Sequence, residues 1–209
     1  MTILALEFSS DRRSVALARG GIVLSEAVEQ TAGRATNAFG LIEKVLADGK
    51  VAREEIEVIA VGLGPGSYTG IRAAIAVAQG WQLARGTKLQ GVGSTEAIAA
   101  QAQAMKLFGR VSVLIDAQRG EFYLSQWEIS ADNRVETGAL RIVAATEVKE
   151  RAAAGEILAG PMAENSVFPS AAMVAQLADG RQDFVPGEQL QPIYLRETAF
   201  VKAPAGRLV

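Results

Sequence analysis

The stretch from Gly62 to Gly80 (GLGPGSYTGIRAAIAVAQG) restricts the possible architecture of this chain more than any other. It follows an apolar run, Val58 to Val61, that reads as a buried strand. A glycine-rich turn then feeds a helix that extends to Arg85. Gly64 and Gly66 open backbone angles denied to other residues, and Pro65 sets one angle of the turn. Ser67 is placed to cap the helix by accepting a hydrogen bond from one of its first free amides. Gly70, Ala74 and Ala78 recur at every fourth position, as do Ala76, Gly80 and Ala84. Residues four apart share a helix face, so two adjacent faces carry almost no bulk. Such a helix belongs in a crowded place, either under its own sheet or against another subunit.

A glycine-rich loop entering a helix can also hold an anion on its free amides. The nucleotide-binding form of that loop requires Gly-Lys followed by Ser or Thr, whereas this one continues Gly70-Ile71-Arg72. The G-x-G-x-x-G spacing is missing as well. The loop therefore reads as a tight strand-to-helix turn without a ligand.

Two absences narrow the chemistry further. The 209 residues include no cysteine and no histidine. Disulfides, thiolate metal sites and cysteine nucleophiles are excluded, as are imidazole-ligated metals and Ser-His-Asp catalysis. Carboxylate, lysine or hydroxyl chemistry remains, or none. The net charge of −2 comes with no basic cluster, so nothing points to sustained nucleic-acid binding by this chain alone. Arg12, Arg13, Arg119 and Arg196 are scattered and read as solvated surface. No apolar run reaches the roughly 20 residues that span a bilayer. The opening residues lack a basic leader with a cleavage pattern, and a cytoplasmic location is expected.

Along the chain, Ile3–Phe8, Ser14–Ala18 and Ile22–Val28 read as strands, the last two joined by a Gly20-Gly21 hairpin turn. Thr36 or Asn37 caps a helix with apolar positions Ala38, Leu41, Ile42, Val45 and Leu46, ending at Gly49. After the central loop and helix come a strand, Leu89–Val92, and a helix, Ser94–Met105. The second half opens in the same way, with strands at Val111–Asp116, Glu121–Ile129 and Leu140–Val143. Weaker helices follow near Thr146–Ala153 and Ser170–Leu177, flanking a strand at Ile157-Leu158. The expected class is α/β and duplicated, with units 1–106 and 107–209 and the second pared down.

That duplicated order, with a polar turn after the first strand, is similar to the actin-like ATPase fold. Within it, Gly64-Pro65-Gly66-Ser67-Tyr68-Thr69-Gly70-Ile71-Arg72, with Ala78-Gln79-Gly80, resembles the signature of the TsaB (YeaZ) family of tRNA-modification proteins. The opening Ile3 to Ser9, the hairpin Asp116 to Tyr123 and Pro192-Ile193-Tyr194-Leu195-Arg196 agree with it in order. The chain departs from the family in carrying Glu7 where Asp is usual. It also has Gly33-Arg34-Ala35-Thr36-Asn37 where a histidine often stands.

The resemblance implies a non-catalytic partner of TsaD, the catalytic paralogue. Together with the TsaE ATPase, the pair installs threonylcarbamoyl on the adenosine beside the anticodon of tRNAs reading codons that begin with A. It implies no cofactor or metal intrinsic to this chain, with ATP or ADP belonging to a subunit interface of the complex. It further implies tRNA contact only through that complex, and a homodimer in isolation. The two helices on either side of the Val58 strand would supply the contact, with Leu41, Val45, Ile75, Ala78, Gln79 and Gln82 as candidate residues. Glu7 and Asp116 end the opening strands of the two halves, where actin-like ATPases keep metal-linked carboxylates. The plainer reading has Asp116 closing its own turn and Glu7 paired with an arginine. The alternatives to a scaffold are an actin-like phosphotransferase acting alone and a glycoprotease-like peptidase. The missing histidine and cysteine weigh against the peptidase.

Overall fold

The computed structural model describes residues 1–31 and 36–196. Alternating and continuous apolar runs form two five-stranded sheets. In the first, β1 (Thr2–Glu7) pairs antiparallel with β2 (Arg12–Arg19), which pairs antiparallel with β3 (Ile22–Gln30). On the other side of β1, β4 (Val58–Gly62) and β5 (Lys88–Val92) add in parallel, giving the order β3-β2-β1-β4-β5. The Gly20-Gly21 turn has positive φ at both positions, matching the right-handed strand twist.

The second sheet repeats this plan. β6 (Gly109–Asp116) runs antiparallel to β7 (Glu121–Ile129), and β7 antiparallel to β8 (Arg134–Ala144). β9 (Ile157–Gly160) and the short β10 (Asn165–Ser166) extend it in parallel from β6. Read from β8 inward, the order and the sense of every pairing equal those of the first sheet. This is the actin-like arrangement expected from the duplicated pattern.

Helix α1 (Ala38–Gly49) starts at Asn37, whose side chain accepts from the Gly40 amide, and ends at Lys50 in left-handed conformation. It packs on β2 and β3, while α2 (Tyr68–Arg85) packs on β4, β1 and β5, so both cover one face of the first sheet. Their shared core joins Leu41, Ile42 and Val45 to Ile71, Ala74, Ile75 and Leu6. Each such aliphatic side chain contributes about 1.5–3 kcal/mol by leaving water. The opposite face is covered by α5 (Ala171–Ala178), which buries Val174 and Ala175 against Ile3, Ala5 and Ala60.

α3 (Ser94–Ala104) packs on the second sheet at β6, β7 and β9 and also touches α5, so it joins the halves. A cut at residue 106 separates the two sheets, yet α5 and the segment after Val185 return to the first one. The second sheet is the thinner half. Its outer face has a small core of Leu114, Leu124 and Val143, covered by α4 (Ala145–Ala153), none of whose residues is buried. No described helix is long and apolar enough to cross a membrane.

Candidate functional site

The loop between β4 and α2 is built by close approach to the end of β1. A Cβ at Gly62 would lie 1.9 Å from Glu7 Oε2, and one at Gly70 would lie 2.1 Å from the Phe8 carbonyl. Gly64 and Gly66 carry the positive φ angles that the turn requires, and the Gly64–Pro65 bond is cis. Ser67 caps α2 by accepting from the Gly70 amide at 3.3 Å. Two of the loop's amides are held by neighbouring segments of the chain. The Ser67 amide donates to the Ser9 carbonyl at 2.7 Å, and the Gly64 amide donates to Ser94 Oγ at 3.1 Å. This is the geometry of a packed turn, as the sequence suggests.

Glu7 is the centre of that packing. It is fully buried and accepts from the Ser9 amide at 2.7 Å and from the Ser94 hydroxyl at 2.9 Å. The expected arginine partner is corrected here: among the described residues the hydrogen bonds to Glu7 come from serines. Burial pushes the Glu7 carboxyl above its ordinary value, against the hydrogen bonds from Ser9 and Ser94 that pull it down. Asp116 accepts from the Gln118 amide at 2.7 Å and from the Gln118 side chain at 2.9 Å, closing its own turn. Only Asp116 lines the cleft between the sheets, so the two carboxylates do not form a pair around it. Among the described residues no group of three or more acidic side chains is arranged to hold a metal ion.

The cleft measures about 730 Å³. Ser9 to Asp11 and Gly66 to Tyr68 line one wall, and Ile115 to Arg119 with Met162 and Phe168 line the other. Of the four arginines read as solvated surface, two are not. Arg13 is buried and donates to Thr36, and Arg196 reaches across to the second sheet.

The candidate contact residues require a further correction. Leu41, Val45, Ile75 and Ala78 face the first sheet and are buried in its core. Gln79 and Gln82 are occupied by the chain itself, since Gln79 Nε2 donates to the Gly187 carbonyl and Gln82 Oε1 accepts from the Gly187 amide, each at 2.8 Å. Of the two small-residue stripes on α2, Gly70-Ala74-Ala78 is the one packed inward. The other, Ala76-Gly80-Ala84, lies on the exposed side, and a Cβ at Gly80 would meet nothing within 4 Å. Leu83 is 89% exposed beside it, and Phe39 on α1 is 70% exposed. Both stand off the inward stripes 71/74/75/78 and 41/42/45/46, which is the signal that could have found them. Of positions 33–37, where the resemblance leads one to expect a histidine, 33–35 lie outside the described residues.

Two sheets of identical strand order facing across a cleft, with the first half's loop packed shut on its own strand, define a protein of the actin-like ATPase fold. A family model described as "TsaD: tRNA N6-adenosine threonylcarbamoyltransferase" matches residues 2–173. The chain belongs to that family, in its TsaB (YeaZ) branch. It is 30% identical to the tRNA threonylcarbamoyladenosine biosynthesis protein TsaB of Bacillus subtilis (strain 168), over 61% of this chain and 56% of that one. It is also 30% identical to the protein of that name from Escherichia coli (strain K12), over 61% and 55%. The match thus spans little more than half the length of these relatives. YeaZ from Pseudomonas aeruginosa superposes with a TM-score of 0.78 at 26% identity, covering 93% of this chain and 99% of that one.

Proposed function

We propose that this chain is a non-catalytic partner subunit in threonylcarbamoyladenosine formation on tRNA. In this reading it docks through the outer faces of α1 and α2 on a catalytic TsaD-type paralogue, with a TsaE-type ATPase completing the system. Without that partner the same face pairs two copies of the chain. The observation that carries the proposal is the bare Ala76-Gly80-Ala84 stripe with Leu83 beside it. A helix face without bulk lets another helix approach closely, and an exposed leucine at its margin gains by being covered.

The absence of histidine supports assigning the chemistry to the partner, because this chain cannot build an imidazole-held metal site. The enclosed Glu7 and a central loop that continues Gly70-Ile71-Arg72 instead of Gly-Lys-Ser/Thr argue in the same direction against a phosphotransferase acting alone.

The test is co-migration of the chain with a TsaD-type protein, together with tRNA modification in the reconstituted system. Gly80→Arg should leave the fold intact by circular dichroism, abolish co-migration and lower modification at least ten-fold. Retained association in Gly80→Arg would remove this face from the interface. Modification or ATP turnover by the lone chain would refute the non-catalytic role.

A further inference from the structure

The segment Val185–Arg196 is woven into the first half, and its Arg196 hydrogen-bonds to the second. The Val185 amide donates to the Leu89 carbonyl at 3.0 Å, and Gly187 is held on both sides by Gln79 and Gln82. Leu190 is buried in the first core, and the Ile193 amide donates to the Leu63 carbonyl at 2.8 Å. Tyr194 then packs on Tyr68, with ring centres 5.8 Å apart at the cleft wall. Arg196 crosses to the β6–β7 turn, where Nη2 donates to the Ala117 carbonyl at 2.8 Å and to Glu121 Oε2 at 2.7 Å.

We propose that Val185–Arg196 is a strap that latches the two sheets across the cleft, with Arg196 as its catch on the β6–β7 turn. The other connections between the halves lie elsewhere, since no residue of α3 or α5 lines the cleft. Those helices form the hinge side. Among the described residues, the hydrogen bonds joining the two cleft walls both come from Arg196, and Arg12 adds a looser contact 5.9 Å above the Phe168 ring.

The receiving turn is shaped for the catch. Gln118, Arg119 and Gly120 all have positive φ, which folds the tip so that the Ala117 carbonyl and the Glu121 carboxylate are both presented to one guanidinium. An exposed ion pair by itself contributes little. Here the pair closes between bodies already tethered by α3 and α5, so its partners meet at high effective concentration.

The chain has no cysteine, so spin labels at Gln30→Cys and Met162→Cys, exposed positions on opposite walls, report the cleft width without background. In the 209-residue chain, Arg196→Ala should broaden the distance distribution and shift it outward. Arg119→Ala, which removes a neighbouring arginine from the same turn, should leave it unchanged. Amide exchange at Glu121, whose N–H bonds the Gln118 carbonyl inside the turn, should rise about ten-fold in Arg196→Ala. If the Arg196→Ala distribution superimposes on the parent's, the latch is refuted. Equal widening by Arg119→Ala would refute the assignment of Arg196 as the catch. Should Arg196→Ala not fold, Arg196→Gln keeps part of the stem but removes the guanidinium from both acceptors, and an unchanged distribution again refutes the proposal.

Discussion

Glu7 offers the sharpest test of how the central loop is held. Replacing it with alanine removes the acceptor of the Ser9 amide and of the Ser94 hydroxyl, both buried. Each orphaned donor costs roughly 1–3 kcal/mol, and the vacated space adds about 1 kcal/mol or more. Glu7→Ala should therefore lose about 3–7 kcal/mol, a large part of the 5–15 kcal/mol typical of a folded domain. Glu7→Gln behaves differently. Its carbonyl still accepts from Ser9, its NH2 donates to Ser94 Oγ, and no charge is buried, so at pH 8 it should lie within about 1 kcal/mol of the parent.

The pH dependence fixes the sign of the effect. Because the folded-state pKa is raised above the ordinary 4.5, the folded chain retains a proton that the unfolded chain has released. Stability is therefore greatest below the unfolded value and declines as pH rises through the folded one. Glu7→Gln should flatten this decline, gaining on the parent between pH 5 and pH 8. Urea unfolding followed by the fluorescence of the two tryptophans measures all three proteins at both pH values. If Gln destabilises as much as Ala at both, the site requires the negative charge and the reasoning fails.

Other substitutions separate the two stripes of α2 and test the loop and the surface. Ala78→Arg buries an unpaired charge in the first core and should unfold the monomer at 37 °C, whereas Gly80→Arg should melt like the parent; equal melting curves would contradict the inward assignment of Ala78. Gly62→Ala forces a methyl against the Glu7 carboxylate and should cost about 1–3 kcal/mol, read as a fall in Tm. Glu147 lies between Arg141 and Arg151, whose hydrogen bonds lower its pKa to about 2. Its contribution is present above 4.5 and is lost as pH falls towards 2. Solvent screening keeps that contribution below about 1 kcal/mol, so Glu147→Gln should flatten a shallow acid slope that salt also weakens.

What could be read without coordinates was what neighbours along the chain decide. The caps at Asn37 and Ser67, the Gly20-Gly21 hairpin and the doubled strand order follow from local backbone preference and from periodicity. The absence of histidine bounds the chemistry whatever the fold. Periodicity shows that α2 has two bare faces, but not which of them meets the sheet. That was settled by Ile71 and Ile75, which flank the Gly70-Ala74-Ala78 stripe and gain most by burial there. The partners of Glu7 and of Gly187 were equally out of reach, because Ser94 lies 87 positions from Glu7 and Gln79 lies 108 from Gly187. Contacts at such separations carry no pattern in a single sequence. The first exists because β1, β4 and β5 lie side by side in the first sheet, and the second because the segment after Val185 returns to that sheet past α2.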